Sequence, residues 1–166
     1  MSTLSVDTIQ GQTTAANVKL PAGSILQVQS AERAASSQYS TTTTSFTDIL
    51  SVTITPKYAS SKILFQMAGD GGSSGLNTAL LLRLVRNING GSFSEIGGVG
   101  ICYDTNQYES CAMSIMDSPN TTNACIYKIQ GALTSATGTG YFPTNWTVFT
   151  SDAKELNTIT VMEISQ

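Results

Sequence analysis

Residues 48–68 read DILSVTITPKYASSKILFQMA. Leu50, Val52 and Ile54 alternate with Ser51, Thr53 and Thr55, the period of two that gives a strand one dry and one wet face. Pro56 has no backbone donor, so the ladder stops there. A polar run, KYASSK, follows. Ile63, Phe65 and Met67 then begin a second strand, with Leu64 adding apolar bulk. Two such strands joined by a short polar loop predict an antiparallel hairpin. Leu50, Val52, Ile54, Ile63 and Phe65 are its predicted core positions.

The same rhythm runs outward in both directions. Residues 25–30, ILQVQS, alternate Leu26 and Val28 with glutamines. Residues 31–45 are polar, and the run Thr41 to Thr44 offers no apolar face, so an edge or surface loop is expected there. Residues 78–85, TALLLRLV, sit between Gly-rich turns and read as a buried strand. Asn89-Gly90 is a strong hairpin-turn signal. In the return strand, Gly97, Gly98 and Gly100 predict a bulge or a close backbone approach. Further strands are expected around Cys111 to Met116, Ala124 to Leu133, Trp146 to Thr150 and Thr158 to Ile164, the last of them paired on both sides. Eight or nine strands at this spacing, with no helix required, predict an all-β, jelly-roll-like antiparallel β-sandwich over residues 25–166. Residues 1–24 differ. Leu4, Val6 and Ile9 are sparse apolar points in a polar stretch, which reads as an extended N-terminal arm for attachment or packing between subunits, with a disordered leader as the alternative.

Composition limits the functions open to such a fold. The chain has 166 residues, enough for one core, and only 11% are charged. A surface so poor in charge suits a protein that packs into an assembly. The net charge of −3 and eight scattered Lys and Arg residues give no basic stripe for nucleic acid. No apolar run is long enough for a membrane helix, and the N-terminus lacks the features of a secretory signal, which points to synthesis in a cytoplasm. The three cysteines, Cys102, Cys111 and Cys125, match no zinc spacing and are expected as free buried thiols, with two of them paired across neighbouring strands as the alternative.

There is no histidine, which removes Ser-His-Asp and Cys-His catalysis. Ser61-Lys62 are strand neighbours and point to opposite faces. Asp104 with Glu109, or Asp70 with Glu95, are the acid pairs that a glycosidase reading would need, and solvated loop acids are the expectation for both. Gly97-Gly98-Val99-Gly100 is followed by no Lys-Ser/Thr and no helix, so it does not cradle phosphate. No enzyme, cofactor or metal is expected. Arg83 and Glu163 lie inside apolar strands; Glu163 is read as facing solvent, with an intersubunit ion pair as the alternative for both. Candidate recognition residues are the loop aromatics Tyr103, Tyr108, Tyr141, Phe142 and Trp146, placed to stack on sugars or fill a partner's pockets, with folding onto the barrel end as a lid as the alternative.

Five phrases, in order, resemble one family. They are LSVDTIQGQTTAANVKLP, VTITPKYASSKILFQM, LLRLVRNINGGSFSEIG, MDSPNTTNACIYKIQ and NTITVMEIS. Together they span almost the whole chain. They are similar to small tail-fibre-like virion structural proteins of tailed bacteriophages, of the kind found in marine phages and cyanophages. The resemblance implies a trimeric β-sandwich in a virion, assembled in the bacterial cytoplasm and bound to other tail or capsid proteins. It implies a tail-fibre or fibre-tip module that engages a host surface receptor or glycan, with a capsid-decorating protein as the alternative. It supplies no catalytic residues.

Overall fold

A computed structural model describes residues 20–34, 37–75, 77–103, 108–142 and 156–166. Among these residues there are ten strands and no helix. They are β1 (Ile25–Ala34), β2 (Tyr39–Thr41), β3 (Thr47–Ile54), β4 (Lys62–Ser73), β5 (Ala79–Ile88), β6 (Ser94–Tyr103), β7 (Tyr108–Asp117), β8 (Cys125–Leu133), β9 (Gly140–Phe142) and β10 (Leu156–Ile164).

The strands form two antiparallel sheets. One has the order β1-β10-β4-β9-β2 with β7 on the other side of β4; the second has the order β3-β8-β5-β6. Five pairings nest inside one another: β1 with β10, β2 with β9, β3 with β8, β4 with β7 and β5 with β6. The chain is therefore one long two-stranded ribbon, doubled at the β5–β6 turn and rolled. Rolling brings β10 beside β4 and β5 beside β8, which closes the ribbon into a jelly roll. The fold class is as expected. Two strands more than the periodicity marks are present, because β2 and β9 are three residues each and too short to alternate. The strand expected around Trp146 lies outside the described residues.

The hairpin over residues 48–68 is not formed. Both strands exist, but β3 pairs with β8 in one sheet and β4 pairs with β10 and β7 in the other. Residues 55–61 are an arch between sheets. Pro56 ends β3, and the buried Glu163 carboxylate accepts hydrogen bonds from the Lys57 and Tyr58 amides at 2.7 and 3.2 Å. Gln27 Nε2 donates to the other carboxylate oxygen at 2.6 Å and to Thr55 O at 2.6 Å. Glu163 thus corrects the expectation of a solvent-facing charge. An arch has no strand ladder to satisfy its amides, and this carboxylate takes their place.

The inner faces meet in one core. Ile63, Phe65, Ile159 and Val161 of the first sheet pack against Ile54, Leu82, Leu84, Tyr127 and Ile129 of the second. The Phe65 and Tyr127 rings lie 6.4 Å apart between centroids. Leu50 is only partly buried, because a bulge between Asp48 and Leu50 turns Ile49 inward. The predicted turn is present: Asn89 and Gly90 have φ of 50° and 75°, the left-handed pair of a type I′ hairpin. The predicted bulge is present as well. Gly98, at φ 76°, sits against Met113, whose sulfur would lie 2.7 Å from any added Cβ. A side chain there would push β6 off β7.

Gly23 N donates to Ser165 O and Ser165 N to Ser24 O, so the last residues of the predicted arm join the sheet beside the end of β10. The central position expected for the final strand holds, since β10 lies between β1 and β4. The thiol expectation holds at Cys125 and fails at Cys111. Cys125 is free and buried, whereas Cys111 is disulfide-bonded.

Candidate interaction surface

Among the described residues no group of three metal-ligating side chains converges. Asp70 and Glu95 lie on different sheets, and Glu95 pairs with Arg83 at 3.2 Å, so these two acids do not form a cleavage pair. Ser61 is buried in the arch while Lys62 is half-buried on β4.

Among the described residues, a partly buried charged cluster clamps the two sheets together. Arg86 Nη1 of β5 meets both carboxylate oxygens of Asp117 at the end of β7, at 2.7 and 2.6 Å. Tyr127 of β8 donates to Asp117 Oδ2 at 2.7 Å, and the Ser118 amide donates to Oδ1 at 2.8 Å. Burial, with the hydrogen bond to Asp117 next, pushes the Tyr127 phenol far above its ordinary range; burial also pushes the Cys125 thiol up. Both groups are held in their protonated, unreactive forms. The cluster fastens β7 to the second sheet and activates no nucleophile.

The candidate recognition aromatics whose side chains are described, Tyr141 and Phe142, lie on a strand rather than in a loop. Phe142 is fully buried in the core and Tyr141 is half-buried beside it on β9, because this short strand pairs with β2 and with the end of β4. Phe142 is thereby corrected from contact residue to core residue. Tyr103 closes β6 and Tyr108 opens β7, on strands rather than within the loop. Trp146 and the arm positions Leu4, Val6 and Ile9 lie outside the described residues.

The outer faces of the sheets differ sharply. That of the β3-β8-β5-β6 sheet carries a ladder of paired charges. Asp48 accepts from Lys128 Nζ at 2.5 Å and from Gln130 Nε2 at 2.7 Å. Arg83 Nε donates to Gln130 Oε1 at 2.9 Å and Arg83 Nη1 reaches Glu95. Arg83 also stands over the Phe46 ring at 4.0 Å, and Lys128 over Phe93 at 4.4 Å. The hydrogen bond from Gln130 and then the one from Lys128 hold the Asp48 carboxyl below its usual range. Arg83, left open between solvent and partner by its sequence, is accounted for within the chain.

The outer face of the other sheet is neutral. Cα register aligns its outward residues in rows across β1, β10, β4 and β7. One row is Val28, Met162, Leu64 and Met116; the next is Ser30, Thr160, Gln66 and Ser114; the third is Glu32, Thr158, Ala68 and Ala112. Charge appears only at the margins, at Glu32, Lys62 and Asp70. A groove of about 500 Å³ runs between Gln66, Ala68, Ala112, Ser114, Thr158 and Thr160, with Met67 and Met113 beneath. This face was not legible in the sequence, since its residues come from four strands far apart along the chain.

No protein-family profile and no curated protein matches the sequence. Among solved structures, the chain is similar to a chain from the structure of infectious bursal disease virus Gx strain, at 9% identity and TM-score 0.49, with 86% of this chain aligned. A second, from the Gt strain of the same virus, aligns at 10% identity and TM-score 0.47 over 86% of this chain. The chain spans 43% and 39% of the lengths of those two chains.

Proposed function

We propose that this chain is a non-enzymatic structural protein of a bacteriophage particle, a homotrimeric tail-fibre or fibre-tip module that takes part in host attachment. The observation that carries an assembly role is the contrast between the two outer faces. One has its charges paired within the chain, and the other is neutral over two full rows of residues, with charge only at its margins. A neutral, weakly apolar face is costly for a protein that stays alone in water and useful to one that is packed against another surface. The phage assignment rests on the five-phrase resemblance in the sequence. The Cys111 disulfide supports it, because such bonds persist on virion surfaces and are rare in reducing cytoplasm.

Gold-labelled antibody against the chain, applied to intact virions, tests the location. Label at the tail tip together with blocked adsorption is the expected result. Label spread over the head with adsorption intact would transfer the protein to the capsid-decorating alternative. Unlabelled virions would reject both. Light scattering should give a mass near three times 17.5 kDa.

A further inference from the structure

We infer that the outer face of the β1-β10-β4-β7 layer is the surface through which copies of this chain meet. The inference deepens the proposed assembly role and rests on it. Three of the five large apolar side chains left exposed among the described residues lie on this one face: Ile25 at 53%, Val28 at 50% and Met116 at 50%. Val28 and Met116 stand at the two ends of a row whose middle is Met162 and Leu64, so apolar side chains cross the full width of the layer. Directly beside this ridge lies the groove, whose walls are Gln66, Ser114 and Thr160 and the small Ala68 and Ala112.

The occupant is a second copy rather than a charged partner, for two reasons. A chain of net charge −3 repels its own kind, and a contact free of charge lets copies approach without placing like charges together. This face meets that condition with its charges at the margins; the opposite outer face, with Asp48, Arg83, Glu95 and Lys128, does not. The ridge and the groove also lie side by side on the same surface. The ridge of one copy can therefore enter the groove of the next, which a homomeric contact requires and a chance apolar patch does not provide.

The test uses the full-length chain. The wild-type protein should scatter at a multiple of 17.5 kDa and dissociate on dilution. The double variant Ser114→Lys with Thr160→Lys places like charges on both walls of the groove, and should fall to the single-chain mass with an unchanged far-ultraviolet spectrum. Thr53→Lys, on the opposite outer face, should keep the wild-type mass. A wild-type protein that is monomeric throughout, or a double variant that keeps the multiple, overturns the inference. Peroxide footprinting of the unaltered protein is a second reading that no folding defect can disturb. Met116 should oxidise several-fold more slowly in the assembled fraction than after dilution, and equal rates overturn the inference. Labelled virions with an unprotected Met116 would reject this face and leave the virion reading standing; a protected Met116 with unlabelled virions would do the reverse.

Discussion

Glu163 shows how much one residue can hold. Among the described residues its carboxylate meets no cation, but the amides of Lys57 and Tyr58 and the side chain of Gln27. Glu163→Gln keeps an acceptor for the two amides but turns an NH2 group toward Gln27, whose own donor is already shared with Thr55 O. A loss of about 1–2 kcal/mol is expected by urea denaturation. Glu163→Ala leaves two amides and a cavity, and about 3 kcal/mol or more is expected. If the alanine variant is no less stable than the glutamine variant, the arch is not held in this way. Tyr127 and Cys125 set the alkaline limit. Their folded-state pKa values lie above the ordinary 10.0 and 9.0, so their contribution is complete below about pH 9 and is lost as pH rises above it. Urea midpoints should stay level up to about pH 9 and decline beyond it, with Tyr127→Phe less stable at neutral pH but flatter on the alkaline side. The phenol of Tyr127 and the burial of Phe142 could not be foreseen from one-dimensional pattern, since a Tyr on an alternating strand and an aromatic beside Pro143 carry no label for what they meet.

At the scale of elements, alternation identified the strands and misassigned a partner. β3 and β4 each show one apolar face, which specifies burial on one side and says nothing about the neighbour in the ladder. Local proximity favours a hairpin; the longer ladders to β8, β7 and β10 outweigh it, and Pro56 helps by ending β3 before a tight turn can form. Where the turn chemistry itself is specific, the sequence is a better guide. Asn89-Gly90 doubles the ribbon, and Gly90→Ala, forced to keep a φ of 75°, should cost about 1 kcal/mol in stability and slow refolding in stopped-flow measurements. A rate unchanged by that substitution would mean that the ribbon does not start from its tip. The glycines of β6 follow the same logic: Gly98→Ala adds both backbone strain and a collision with Met113, for an expected loss of about 2 kcal/mol by thermal denaturation. Along the open side of the sandwich, Lys57 Nζ reaches Leu26 O, Gln27 reaches Thr55 O and Arg33 reaches Ile49 O. These side chains stitch β1 to β3 and occupy carbonyls near their edges, which discourages the addition of foreign strands.

For the whole molecule, the sheets are joined by a common core and by the Asp117 clamp, whose carboxylate belongs to one sheet and whose Arg86 and Tyr127 partners belong to the other. Asp117→Ala leaves a half-buried guanidinium and a buried phenol without their acceptor, and a loss of about 3 kcal/mol is expected in urea, in a single transition for both sheets. Two separate transitions in this variant would show that the clamp, rather than the common core, is what couples the sheets. Composition and periodicity by themselves determined the all-β class, most of the strands, the turn at Asn89-Gly90, the bulge at Gly97-Gly98 and the absence of histidine chemistry, because each depends on residues close together in sequence. Tertiary structure alone decided which strands pair, that Glu163 is buried, that Phe142 belongs to the core, and that Val28, Met162, Leu64 and Met116 lie in one row. Those features join residues between 36 and 139 positions apart, and the nesting of a rolled ribbon, rather than any local pattern, brings them together.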